Sequence, residues 1–196
     1  MLMNAPFGGL IPGARGAVLS ALLHTDARLT GRQVHALVSD RYSLWSVQEA
    51  LKSWVGIGVV HTENIGRAVV HSVNEDHYAV VALRSIVDPI AALTATAAQI
   101  VGDGTEAVIV FGSVARGESH QGSDIDLAVI AHSSWGGRSD LEDAVRKRLG
   151  NNCDALVFTT DDFTRLAKSG EPVVCEILTD GIPLIGTMPR IKSGAT

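Results

Sequence analysis

The sequence predicts an α+β chain in two parts: a helical half closed by a β-hairpin, then a small mixed β-sheet flanked by helices. Three observations predict it. Apolar residues recur at helical spacing three times before Trp54. The period then changes to two short strand-like runs across residues 59–73. After Gly104, apolar runs suited to buried strands appear at residues 108–111, 125–130 and 153–158, separated by turn signals and a helical stretch.

At 196 residues the chain has room for one large domain or two small ones of roughly 100–200 residues each. Its 46% hydrophobic and 19% charged residues can bury a core, which excludes a disordered chain. No apolar run reaches the roughly 18 residues of a membrane span. The first twelve residues lack a basic start followed by an apolar stretch, so a cytoplasmic protein without a membrane partner is expected. Cys153 and Cys175 form no CxxC pair and are expected to be reduced core residues. The seven histidines show neither HxxxH nor HExxH spacing and are expected at the surface or in the core rather than on a metal.

In the first half, Val18, Leu19, Leu22 and Leu23 define one helix. Thr30 can cap a second, carrying Val34, Leu37 and Val38, and Ser43 a third, carrying Val47, Ala50, Leu51 and Trp54. Val59–Val60–His61–Thr62 and residues 67–73 then form two strands around a turn at Glu63–Asn64–Ile65–Gly66. Three helices and a hairpin over residues 12–74 resemble the winged helix-turn-helix family, whose third helix enters the DNA major groove. Here that helix presents Trp45, Ser46, Gln48, Glu49, Lys52 and Ser53, with Arg41 and Tyr42 just before it. Residues 1–83 hold six basic and six acidic side chains, whereas residues 84–196 hold ten and fifteen and so carry the whole net charge of −5. DNA affinity leans on phosphate neutralisation, so a neutral module leaves DNA binding and protein docking, including a homodimer, both open.

Ile86, Ile90, Leu93, Ala97 and Ile100 form one stripe, which predicts a connecting helix over residues 85–101, with Pro89 tolerable only near its start. The expected organisation is a winged-helix domain at 1–83, a connecting helix and linker at 84–104, a second domain at 105–188 and a flexible tail at 189–196.

The chemistry-bearing stretch starts where Val108–Ile109–Val110–Phe111 runs into Gly112–Ser113–Val114–Ala115–Arg116–Gly117. A small turn at a strand end lets backbone N–H groups approach phosphate oxygens. Ser123–Asp124–Ile125–Asp126 follows, and strand alternation sends both aspartates to one face while Ile125 and Leu127 turn inward. Two crowded carboxylates call for a cation, and magnesium suits carboxylates that share it with water and phosphate. A helix over residues 140–149, with a Ser139–Glu142 capping box and Gly150 at its end, leads to a third strand that begins with Cys153 and Asp154. Asp161 and Asp162 mark a further helix start, residues 171–178 another short helix, and residues 181–185 a closing strand. Cys175 and Glu176 on that short helix are expected to be packing and surface residues.

These residues resemble the minimal nucleotidyltransferases of the DNA polymerase β-like superfamily over residues 106–186. The pattern GSxARGxxxxxSDIDLxV is met at every fixed position from Gly112 to Val129, and Asp154 stands where the family has its later lone acid. The resemblance implies that Gly112, Ser113, Arg116 and Ser123 bind nucleotide, and that Asp124, Asp126 and Asp154 are the catalytic, metal-holding carboxylates for two Mg2+ ions, which Mn2+ can replace. Arg116 has helix capping or an ion pair as an equal alternative. The implied reaction moves a nucleoside monophosphate from an NTP, ATP first, to an acceptor hydroxyl with release of pyrophosphate. Family members modify a small molecule, an RNA end or a protein tyrosine, the last when a HEPN-type toxin is neutralised by adenylylation. A DNA-binding regulator or a stoichiometric antitoxin on a non-catalytic nucleotidyltransferase fold are the alternatives.

Overall fold

The computed structural model describes residues 1–191 and divides into two compact units, Ala5–Pro89 and Met1–Asn4 together with the residues from Ile90 onward.

In the first unit, α1 (Gly13–Leu23), α2 (Gly31–Val38) and α3 (Leu44–Gly56) surround a core of Val18, Leu19, Leu22, Val34, Val47 and Leu51. Thr30 caps α2 through a reciprocal box with Gln33, and the Ser43 hydroxyl accepts from the Ser46 N–H at the start of α3. A two-residue strand, β1 (Leu29–Thr30), pairs antiparallel with β3 (Ala68–Val73), which pairs with β2 (Val60–Ile65), giving the order β1-β3-β2. The hairpin is tighter than the sequence suggests: Glu63, Asn64 and Ile65 belong to β2, and Ile65 pairs directly with Ala68 across Gly66 and Arg67. Gly66 takes the positive φ (61°) that so short a turn requires. The indole N–H of Trp54 donates to the Arg15 carbonyl at 2.9 Å, tying α3 to α1.

The expected single connecting helix over residues 85–101 is instead two helices, α4 (Val80–Ile86) and α5 (Pro89–Ala98). Proline has no N–H and clashes with the preceding turn, so Pro89 begins α5 and cannot continue α4. The boundary between the units follows this break, after Pro89. Among the described residues no single helix is long and apolar enough to cross a membrane; α4 and α5 reach that measure only when counted together across their break.

The second unit is a four-stranded mixed sheet of order β6-β5-β4-β7, from β4 (Thr105–Phe111), β5 (Ile125–Ala131), β6 (Cys153–Phe158) and β7 (Ile182–Gly186). A single helical turn, α6 (Gly112–Ala115), follows β4. Among the described residues only the β5–β6 pair is parallel. Helices cover both faces. Val108, Val110, Ile125, Leu127 and Val129 pack with Leu93 and Ala97 of α5 and with Leu141, Val145 and Leu149 of α7 (Arg138–Leu149). On the opposite face Ile109, Phe111, Ala128 and Ile130 pack with Phe163 of α8 (Thr160–Ser169) and with Val174 and Ile177 of α9 (Pro172–Asp180). Burial on both faces explains why β4 and β5 read as continuous apolar runs.

Three further details depart from the expected organisation. Residues 1–4 belong with this second unit rather than the first: Met3 is buried in its core, the terminal ammonium donates to the Asn151 side chain at 2.8 Å, and Asn4 donates to the Gly117 carbonyl at 2.9 Å. The cysteines are both free thiols but neither is fully buried: Cys153 is half-buried and Cys175 is exposed, since α9 turns Val174 and Ile177 rather than Cys175 to the sheet. Of the expected flexible tail, Ile191 packs, with Met188 before it, against the core cluster around Phe163, and residues 192–196 lie outside the described residues.

Candidate active site

The strand registers set two of the three expected carboxylates side by side. Asp126 lies opposite Phe111 of β4 and opposite Asp154 of β6, so the last residue of β4 and the start of β6 flank it on either side. Asp126 and Asp154 share the sheet face of Ala128, Leu156 and α9 by strand alternation, and Asp124 lies just before β5. Asp124 and Asp154 are exposed and Asp126 is half-buried.

Gly112 turns the chain out of β4 into α6 with φ +67°. A Cβ there would lie 2.4 Å from an Asp126 carboxylate oxygen. Glycine therefore serves two needs at once: the left-handed backbone and the close approach of the carboxylate. Ser113 is half-buried beside it, and its carbonyl accepts from the Glu118 N–H at 2.8 Å, which folds the turn. Ser123 closes the next turn by accepting from the His120 N–H at 2.9 Å, while its carbonyl accepts from Asn151 at 3.0 Å.

Charge is unevenly distributed here. The Asp126 carboxyl is held above its ordinary range, chiefly by burial and then by Asp124, Asp154 and Glu176, with Arg116 opposing. Arg116 is engaged by carboxylates: Nε donates to Glu118 at 2.9 Å and Nη1 donates to Glu176 of α9. Of the two readings open to Arg116, the ion pair is the one its contacts realise. The sequence suggests only a surface or packing residue at Glu176, and nothing in its local surroundings signals that α9 carries it to this cluster. Burial, with Glu142, Asp154 and Asp126 nearby, pushes the Cys153 thiol up to about 12.

Asp154 is also engaged. Its Oδ1 accepts from Nη2 of Arg138 at 2.9 Å, and Nε of the same guanidinium donates to Glu142 at 2.8 Å. Glu142 in turn accepts from the Ala155 N–H of the edge strand β6 at 3.0 Å. Burial pushes the Glu142 carboxyl up, but these donors outweigh it and leave it below its ordinary value. The expected Ser139–Glu142 capping box does not form: α7 starts at Arg138 with Gly137 as its cap residue and no side-chain cap, so Ser139 lies inside the first turn. Among the described residues no group of three or more His, Cys, Asp or Glu side chains is disposed to hold a metal. The pair Asp124 and Asp126 nevertheless fits a hard divalent cation: both donors are oxygen, Asp126 is crowded by Asp124, Asp154 and Glu176 with Arg116 opposing, and Gly112 beside it carries no side chain.

Residues 100–189 match the family model described as polymerase beta, nucleotidyltransferase. A relative from Methanocaldococcus jannaschii, named "Putative protein adenylyltransferase MJ1305", is 35% identical over 85 residues, which is 40% of this chain and 56% of that protein. The chain thus spans little more than half the length of this relative. Among solved structures, a toxin–antitoxin with AMP-PNP is 26% identical at a TM-score of 0.37, covering 47% of this chain and 69% of that one. A mutant form of the toxin–antitoxin MntA–HpeT is 22% identical at a TM-score of 0.39, covering 50% and 73%.

Proposed function

We propose, from the match of residues 100–189 to the polymerase beta nucleotidyltransferase model, that this chain transfers a nucleoside monophosphate from an NTP to an acceptor hydroxyl. The observation that carries the proposal is the placement of Asp126: in register between Phe111 and Asp154, crowded by acids, and set over the bare Gly112 turn. The name of the Methanocaldococcus jannaschii relative favours adenylyl as the group moved and a protein as the acceptor.

Asp124 and Asp126 would hold a magnesium ion, with Asp154 available to a second one; when bound, such ions neutralise charge on the phosphate oxygens. The protein's own residues then act as follows. The backbone of the Gly112–Ser113 turn and the Ser113 hydroxyl grip the triphosphate, and glycine at position 112 lets the Asp126 carboxylate lie against that turn. Arg116 presents its remaining N–H groups to phosphate while Glu118 and Glu176 fix its plane. The acceptor oxygen forms a bond to the α-phosphorus as the bridging bond to pyrophosphate breaks, and the hydroxyl proton passes to a carboxylate of the cluster.

For the first unit, the helix and hairpin arrangement supports a winged-helix module. Between α3 and the hairpin lies a cleft of about 760 Å³ whose lining includes Arg32, Lys52 and Arg67 and no acidic residue. Arg32 and Arg67, beside a Lys52 that is paired with Glu49, favour a polyanion, DNA foremost, as the occupant of that cleft. It is also the observation behind a second reading, a DNA-binding regulator.

The deciding experiment incubates wild type and an Asp124→Ala/Asp126→Ala variant with Mg2+, each α-labelled NTP and cell extract, and follows label into protein, RNA and small molecules. Transfer by wild type, reduced roughly 10³-fold in the variant, is the expected result, on the scale at which preorganised charge-stabilising groups act. Equal labelling with both proteins, or none with any NTP, would move the assignment to the regulator.

A further inference from the structure

Most cations of the first unit are engaged by other side chains. Arg15 lies 4.9 Å from the centre of the Trp54 ring, and Arg28 pairs with Glu63. Arg41 pairs with Asp40 at 3.3 Å, Lys52 with Glu49 at 2.7 Å and Arg84 with Glu75 at 2.6 Å. Among the described residues Arg32 and Arg67 have no such partner, and both line the cleft between α3 and the hairpin. They reach it from different elements, α2 and the β2–β3 turn. Two unengaged guanidiniums on one cavity favour an anion there.

The rest of the lining has another character. Leu51 and Val55, four residues apart on α3, give it an apolar wall. The hairpin adds Val69. Register pairs Val60 with Val73 and Asn64 with Val69, and alternation puts Val69 and Val73 on one face of β3. That face meets the core of the unit at Val73, but at Val69 it is open, with 49% of the residue exposed. A sugar–phosphate strand satisfies the two arginines and sets charged oxygens against this apolar surface, which costs solvation without return. A ligand that has both a charged head and an apolar body satisfies the two together. At about 760 Å³ the cleft falls within the roughly 300–1,000 Å³ of small-molecule sites.

We propose that this cleft binds a small organic anion with an apolar body, its carboxylate or sulfonate head on Arg32 and Arg67 and its body on Leu51, Val55 and Val69. The inference goes beyond the polyanion reading of the cleft and stands without it. A duplex bound there uses the same two arginines, so ligand and duplex exclude each other.

The experiment titrates the full chain with anilinonaphthalene sulfonate, whose fluorescence rises when it leaves water, and follows the component that binds once per chain. N-phenylnaphthylamine supplies similar rings without the charge, and inorganic sulfate supplies an anion without the rings. The proteins are wild type, Arg32→Gln/Arg67→Gln, Val69→Thr and Arg148→Gln/Lys168→Gln. The last makes the same change in net charge on exposed residues of the second unit. All five exchanged side chains are exposed, and a thermal midpoint close to wild type checks each fold.

The Arg32→Gln/Arg67→Gln protein is expected to bind the sulfonate at least roughly tenfold more weakly, the scale of hydrogen bonds to a charged group. Val69→Thr should weaken it roughly fourfold, the worth of one buried methyl-sized group. Binding of the neutral amine should not respond to the arginine exchange. An equal loss in Arg148→Gln/Lys168→Gln would mean a diffuse field and would overturn the site. So would a Val69→Thr protein that binds as wild type, or inorganic sulfate that displaces the probe at the probe's own concentration, since either leaves the apolar wall without a role. Duplex DNA is scored separately: a duplex that binds while the probe stays in place overturns the DNA reading of the cleft and leaves the ligand site standing.

Discussion

The two units solve opposite electrostatic problems, and they distribute the solution along the chain differently. In the second unit, Gly112, Ser113, Asp124 and Asp126 fall within fifteen residues, because one strand, one turn and the next strand supply them. The result is a crowded acidic centre that calls for a cation. In the first unit the cationic cleft is drawn from three separate elements: Arg32 from α2, Lys52 from α3 and Arg67 from the β2–β3 turn. Each of these residues is unremarkable where it stands in the sequence. A site built on one strand–turn–strand leaves a spaced motif; a site built across elements leaves none. The net charge of residues 1–83 is zero, and it hides a cleft whose charged lining is wholly cationic.

The largest expected effect bears on the acidic centre and comes from Gly112→Ala. A Cβ 2.4 Å from the Asp126 carboxylate, at φ +67°, forces Asp126 aside and strains the turn by about 1–3 kcal/mol. Label transfer should fall with Asp124 and Asp126 both still present, and Mn2+ affinity should fall with it. A fully active Gly112→Ala protein would refute the claim that this turn forms the centre.

Intermediate in size is Arg32→Ala/Arg67→Ala, which bears on the cationic cleft. If the cleft faces phosphates, duplex binding weakens across sequences and the salt slope of the affinity drops by about 2, one for each cation. Label transfer by the second unit should be unaffected. An unchanged salt slope would assign the cleft to something other than nucleic acid.

The smallest effect is local to the β1–β3 pair. Burial holds His71 below its ordinary value, opposed by its contact with the Leu29 carbonyl. A depressed histidine contributes stability above its unfolded value of about 6.5, and that stability is lost as pH falls through the folded value. Hydrogen exchange of β3 amides should therefore accelerate on acidification more than in His71→Gln. Identical pH profiles for the two proteins would remove His71 from the account.

Helices α1, α2 and α3 are legible from apolar spacing and from caps at Thr30 and Ser43, because both signals are local. The strand β1 is not: two residues, Leu29 and Thr30, carry no period and are strand only because β3 lies beside them. A continuous apolar stripe predicts one connecting helix, but the missing N–H of Pro89 overrides the stripe and splits it in two. At the site, alternation alone assigns the side chains of Asp124 and Asp126 to one face. It cannot reveal the engagement of Asp154 by Arg138, or the arrival of Glu176 beside Arg116, since each joins different elements of the fold.

Local sequence thus sets the chemistry: carboxylates two apart at the start of a strand, a glycine at the turn before them, and the hydrophobic periods that make the strand a strand. These depend on backbone geometry that neighbouring residues dictate. Which cations meet those carboxylates, and which surface is positive, is decided by packing. Salt bridges and clefts join residues whose separation in sequence carries no information about their separation in space; only the packed core brings Arg138 to Asp154, Glu176 to Arg116, and Arg32, Lys52 and Arg67 to one cleft.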